Sequence, residues 1–160
     1  VTGRQHHYVL TTRWTGNRGS GTSGYRDYGR EHEVRMASKP DQVLLGSADP
    51  TFRGDAARFN PEELLLAALS QCHLLSYLHA CVMAGVVVVD YSDQATGIMV
   101  TTADGGGHFT EVTLHPTVTI AAGSDPDAAE HAHETATRMC FIASSVNFPV
   151  RHEPTTIVAS

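Results

Sequence analysis

Asn60-Pro61-Glu62-Glu63-Leu64-Leu65-Leu66-Ala67-Ala68-Leu69-Ser70-Gln71-Cys72 is the stretch that decides the architecture of this chain. Its first four residues are a helix start. Asn60 can cap the first-turn amides, and Pro61 suits the first helical position, where no amide hydrogen is needed. Glu62 and Glu63 complement the positive end of the helix dipole, and Glu63 stands three residues after the cap, the spacing of a capping box. No breaker follows until Gly85, so the pattern predicts a helix to about Ala84, about 35 Å long. It is apolar on most of its circumference, which points to burial, including burial between subunits.

Around this helix the chain reads mainly as strands. Residues 8–14 (Tyr-Val-Leu-Thr-Thr-Arg-Trp) are β-branched and aromatic. Thr15 to Gly24 is a glycine-rich loop. Residues 31–36 and 41–46 are further strand candidates, as is Val86 to Asp90. Gly97–Thr102 and His108–Ala121 read as a hairpin around Asp104-Gly105-Gly106-Gly107, with Pro116 implying an edge or a bulge. Asp125-Pro126-Asp127 opens a second helix to about Met139, with Cys140 at its end. Phe141–Ser145 suits a short helical turn, and 147–158 contains a last strand.

Composition narrows the class. A length of 160 residues suits one domain, 1–160. With 41% hydrophobic and 18% charged residues, a globular fold is expected rather than disorder. The formal net charge is −6 and no basic run occurs, which argues against nucleic acid or an anionic membrane as partner. The longest apolar candidate, Leu64–Val89, is interrupted by Ser70, Gln71, His73, Ser76 and His79, so no membrane span is expected. With no secretory leader pattern visible, the expected location is cytoplasmic. Three cysteines at irregular spacing are not a secreted disulfide framework; in a reducing compartment such cysteines pair transiently, for catalysis or sensing.

Cys72 lies on the helical stripe Leu65, Ala68, Leu69, Cys72, Leu75, Ser76, His79. From the helix alone it is either a small core residue or a reactive thiol. Cys81, among Ala80, Val82, Met83 and Ala84, reads as core. Cys140 meets Cys72 only if the fold brings them together. A reactive thiol must be a thiolate, and a nearby cation is the usual means. Arg18 in the glycine-rich loop is the leading candidate, with Arg53 and Arg26 as alternatives. Glu62 can orient such an arginine, although helix-dipole complementation also explains it. Ten residues separate Glu62 from Cys72, about 15 Å along a straight helix. Either the helix breaks near its start or Glu62 serves the Cys72 of another subunit. The ten histidines show no His-x-x-x-His, and no Cys-x-x-Cys occurs; His131 and His133 point apart on a helix. No metal site and no bound cofactor is expected.

The quoted stretch resembles the reactive-cysteine helix of the OsmC/Ohr family, the osmotically induced and organic hydroperoxide resistance proteins. The shared pattern is Asn-Pro-Glu-Glu-Leu with a cysteine ten residues after the first glutamate, and a second cysteine after a later helix. Trp14-Thr15-Gly16-Asn17-Arg18-Gly19-Ser20-Gly21-Thr22 is similar to the loop that carries the family arginine. The resemblance implies an α+β fold made as an intertwined homodimer, two long central helices packed by mainly antiparallel sheets from both subunits. It implies a peroxidase in which Cys72 attacks an organic hydroperoxide, or hydrogen peroxide, and becomes a sulfenic acid. Cys140 then condenses with it, and an external dithiol reductant, of lipoyl type in this family, restores both thiols. Arg18 would stabilise the thiolate and Glu62 would hold Arg18. Three departures mark a divergent branch: Phe141 replaces a usual Pro, His73 a common Phe, and Arg53-Gly54-Asp55 is inserted before the motif. Two other readings are a non-enzymatic dimer that binds a small apolar ligand at its interface, and a metal or Cys-His hydrolase site.

Overall fold

The computed structural model describes residues 3–160. By its contacts the chain divides into two compact units, 1–64 and 65–160.

The first unit is an antiparallel sheet of three strands in the order β1 (Leu10–Trp14), β2 (His32–Met36), β3 (Lys39–Gly46). Leu10 stands opposite Met36 and Trp14 opposite His32. A short 3-10 turn, Pro50–Phe52, follows β3, its start capped by Asp49 accepting from the Thr51 amide. Among the described residues no apolar side chain of this unit is buried: Leu10, Trp14, Met36 and Leu45 are all exposed.

The second unit holds the core. Helix α1 spans Pro61–Ala84 without interruption. Its start is the predicted capping box: the Glu63 amide donates to Asn60 Oδ1 at 2.8 Å, and the Asn60 amide donates to Glu63 Oε2 at 3.2 Å. Gly85 ends it with a positive φ of 71°, where a side chain would be strained. Helix α2 (Pro126–Met139) is capped by Asp125 and buries Ala129, Ala132, His133 and Ala136, one face at helical spacing. That face packs with Tyr77, Ala80 and Cys81 of α1 and with Val118 and Ile120. A smaller cluster joins Leu69 to Val112 and Leu114.

Two three-stranded sheets complete the unit: β4 (Val88–Asp93), β7 (Pro116–Ile120), β9 (Thr155–Val158), and β5 (Thr96–Thr101), β6 (Gly107–Leu114), β8 (Val150–His152). The β4–β7 and β5–β6 pairs are antiparallel, whereas β6–β8 and β7–β9 are parallel. The sequence reading of one strand over 108–121 and one over 147–158 is corrected here. Both break as they pass from one sheet to the other, at His115–Pro116 and at Glu153–Pro154. Pro116 is the first residue of a central strand, where its missing amide hydrogen is tolerated, rather than an edge or bulge residue. The bend is pinned by Asp93, whose Oδ1 accepts from the His115 amide at 2.8 Å and whose Oδ2 accepts from Ser70 Oγ. It opens a cleft of about 720 Å³ lined in part by Asp93, His115, Glu153 and Pro154.

A second expectation also changes. Helix α1 is long and apolar enough to cross a membrane by length and composition alone. The leucines, alanines and valines outweigh the polar interruptions. One face carries Leu69, His73, Tyr77, Ala80 and Cys81 into the core. The opposite stripe, Leu75, Leu78, Val82 and Met83, is exposed.

Candidate active site

The second unit brings Cys72 and Cys140 together. Cys72 projects from mid-α1 and is half-buried; Cys140, the residue that ends α2, is 1% exposed. Both are free thiols. The Cys140 sulfur accepts from the Ala143 amide at 3.4 Å, and the Cys72 thiol is near enough to influence it. Burial, then the neighbouring Cys72 sulfur, pushes the Cys140 thiol up to about 11. At neutral pH Cys140 therefore keeps its proton and can donate it toward Cys72. Ser144 donates to the Cys140 carbonyl at 2.9 Å, which fixes the turn after α2. Cys81 is buried against Tyr77 in the core, as the sequence reading has it, and burial raises its thiol.

The next residue along α1, His73, points into the core. Its Nε2 lies 3.0 Å from Nδ1 of His133, and the two rings stack at 5.4 Å between centroids. Tyr77 stacks on His133 at 3.9 Å, and His152 completes the group at 5.5 Å from His73. His133 Nε2 is buried without a hydrogen-bond partner among the described residues. Desolvation, with mutual repulsion among the imidazoles, lowers His73 to about 4 and His133 to about 3, so both are neutral at physiological pH. Among the described residues no group of three or more His, Cys, Asp or Glu could hold a metal ion.

The first unit carries the other predicted residues, and it separates them. Arg18 is exposed, as are Arg26 and Arg53, and none of the three side chains makes a hydrogen bond or ion pair among the described residues. Arg53 adopts a left-handed φ of 64° at the end of the 3-10 turn. Glu62 lines a cavity of about 280 Å³ with Arg30, His32, Ser47, Ala48, Asp49, Phe52 and Pro61, and its Oε2 is buried without a partner. Since α1 runs unbroken from Pro61 to Ala84, the alternative of a helix broken between Glu62 and Cys72 is removed.

A family model for OsmC-like protein matches residues 54–155. The chain belongs to the OsmC-like family. Among solved structures it is similar to an OsmC-like protein of unknown function from Vibrio cholerae, at 29% identity and a TM-score of 0.82 over 94% of this chain and 99% of that one. It has the fold of an organic hydroperoxide resistance protein OsmC from Legionella pneumophila (15% identity, TM-score 0.70, 97% and 99% covered). It also has the fold of the organic hydroperoxide resistance protein OhrB of Bacillus subtilis (17%, 0.64, 94% and 98%). No curated protein matches the chain.

The arginine that lines the same cavity as Glu62 is Arg30, which the sequence reading does not single out. A usable signal was present in Tyr25-Arg26-Asp27-Tyr28-Gly29-Arg30-Glu31-His32, where a cation follows two tyrosines that can stack on it. His133 was noted only as diverging from His131. Its pairing with His73, 60 residues away, depends on how α1 and α2 pack.

Proposed function

We propose that this OsmC-like protein is a thiol-dependent peroxidase that reduces organic hydroperoxides, working as a homodimer. The observation that carries the reading is the contact of Cys72 and Cys140, a half-exposed thiol beside a buried one that stays protonated. The family's organic hydroperoxide resistance proteins support it. The Cys72 thiolate attacks the distal oxygen of R–O–O–H. The O–O bond breaks, a proton goes to the departing alkoxide, and ROH leaves behind Cys72–SOH. Cys140 then attacks that sulfur, an S–S bond forms, and the hydroxyl leaves as water with the Cys140 proton. A dithiol of lipoyl type reduces the disulfide by two exchange steps and is itself oxidised.

Two surfaces support the dimer. The α1 stripe exposes Leu75 at 68% and Val82 at 75%, and the first unit's sheet has no buried apolar residue. Apolar surface of this extent marks an interaction site, and a second copy of the chain offers the same kind of surface in return. Glu62 and Arg18 or another arginine then act on the Cys72 of the other copy, since about 15 Å of continuous helix separates Glu62 from its own Cys72.

The test is a thiol count. One equivalent of cumene hydroperoxide should remove two free thiols from the reduced protein and form a Cys72–Cys140 disulfide. Cys72→Ser should lose neither thiol, and Cys140→Ser should stop at a sulfenic acid that dimedone traps. Unchanged thiols in the unsubstituted protein would sink the reading.

A further inference from the structure

Helix α2 lies on α1 largely through small side chains. Ala129, Ala132 and Ala136 make up most of its buried face. Methyl groups pack without direction, so they specify the register of one helix on the other only loosely. Two polar contacts interrupt this surface. The Tyr77 hydroxyl donates to the Ala129 carbonyl at 3.2 Å. His73 Nε2 and His133 Nδ1 lie 3.0 Å apart, on residues that are 3% and 0% exposed. A hydrogen bond fixes both a distance and a direction.

For stability alone the histidine pair is a poor choice. Burial keeps both rings neutral, so one donates and the other accepts. His133 Nε2 then has no partner among the described residues, and a buried polar atom left that way is destabilising. Two apolar side chains of similar size would join the helices without that penalty. What distinguishes the pair is its place. His73 is the neighbour of Cys72 on α1. On α2, Ala129, His133, Ala136 and Cys140 follow one another at helical spacing, so they form one stripe. Cys140 ends that stripe about 10 Å beyond His133. A helix is stiff over two turns, so whatever fixes His133 sideways on α1 also fixes Cys140.

We propose that His73 and His133 are positioning residues for the Cys72–Cys140 disulfide, their bond holding α2 in the register on α1 that lets the two sulfurs join. The proposal rests on reading the cysteines as a redox pair, not on a peroxide as the oxidant. Such a bond forms only when the two Cα atoms lie within about 7 Å and the side chains face each other. The same register serves any two-electron oxidant. With glutathione disulfide, the two thiols lose two electrons and two protons to give one S–S bond in the chain, and two glutathione thiols are released.

The experiment measures the reduction potential of the pair in the full chain. The protein is equilibrated at neutral pH with set ratios of glutathione disulfide to glutathione, then alkylated and read by peptide mass spectrometry. His133→Leu should lower the equilibrium constant for the disulfide roughly tenfold or more, the scale of effect that misplaced reacting groups produce. Each tenfold raises the potential by about 30 mV. An asparagine amide reaches about as far as Nδ1 and a glutamine amide about as far as Nε2, so His133→Asn and His73→Gln should recover most of the loss. The double variant His73→Leu/His133→Leu removes both polar groups. Its urea stability should be held or raised while its potential stays shifted. His131→Gln, at an exposed site of α2, should match the unsubstituted protein. An unchanged potential in His133→Leu or in the double variant, or no recovery in either amide variant, would overturn the proposal. A histidine-dependent potential in a protein that leaves cumene hydroperoxide unreduced would remove the peroxidase reading alone. Loss of both thiols to peroxide, with a potential indifferent to the histidines, would remove this proposal alone.

Discussion

The two units of this chain bury different things. The second closes a core around Tyr77, Leu69, Leu114, Val118 and Ile120, and places two thiols at the end of it. The first buries Ser47, Asn60 and glycine backbone, leaves its apolar side chains outside, and offers a carboxylate oxygen without a partner. One unit is chemically complete except for a cation at its thiol; the other holds a fixed cation and has no thiol. The difference teaches that the chemistry-bearing groups are divided between the two units, and the proposed homodimer is the reading that would use both sets.

The largest expected effect breaks or supports this contrast directly. Leu114→Ala removes a side chain that is 1% exposed and should cost about 2–5 kcal/mol, through lost transfer energy and the cavity left behind. That cost should be the same at any protein concentration. Leu45 is 46% exposed on β3; under the proposed homodimer it would gain burial by association, so the cost of Leu45→Ala should grow as protein concentration rises, because binding linkage depends on mass action. Urea midpoints for both variants at two concentrations a hundredfold apart decide the matter. A Leu45→Ala cost independent of concentration would mean that its sheet is a finished structure.

The next effect concerns pH and belongs to the second unit alone. His73 and His133 have folded-state values lowered to about 4 and about 3, against an ordinary 6.5. The unfolded chain therefore binds protons first as pH falls below about 6.5, and the folded state loses stability down through the lowered values. Each histidine contributes a slope of up to about 1.4 kcal/mol per pH unit in that window. The groups facing the pair are His152, which opposes protonation, and Asp93, which favours it on His73; Tyr77 is neutral there. Urea melts from about pH 7 to about pH 5 should show the loss. His133→Gln should reduce its slope by one proton, whereas His131→Gln should not reduce it, because the hydrogen bond to the Asp127 carbonyl raises His131 and gives its contribution the opposite sign. An unchanged slope in His133→Gln would mean that the pair is open to water in solution.

The same contrast explains what was legible in the sequence. Both helices, with their caps and ends, could be read because capping is settled within four residues: Asn60 with Glu63, Asp125 with Asp127. The alternation of Val112, Leu114, Val118 and Ile120 is visible in the sequence and matches the buried face, since it depends only on the period of a strand. The change of sheet at Pro116 and Pro154 could not be read, because it depends on Asp93 and on parallel partners far along the chain. Cys72 was legible through a motif, whereas the neighbourhoods of Arg30 and His133 arise from tertiary packing. Arg18 stands out in a linear reading because its glycine-rich loop is conspicuous. Arg30 is instead anchored by two backbone carbonyls and two rings, which a linear reading weighs poorly.

The smallest effect probes the residue where the two behaviours meet. Asn60 is a buried polar side chain of the first unit, and its hydrogen bonds order the turn that carries Glu62. Asn60→Ala should cost about 1 kcal/mol, the usual range for a lost N-cap, and Asn60→Asp should restore most of it. Thermal or urea denaturation measures both. If the cost instead reached the several kcal/mol of Leu114→Ala, Asn60 would be acting as a core residue and the first unit would have a buried centre after all. A cost near 1 kcal/mol joined to a larger change in the pH dependence of Cys72 alkylation would separate the two roles. The cap would then matter less for holding the helix together than for aiming the carboxylate beside it.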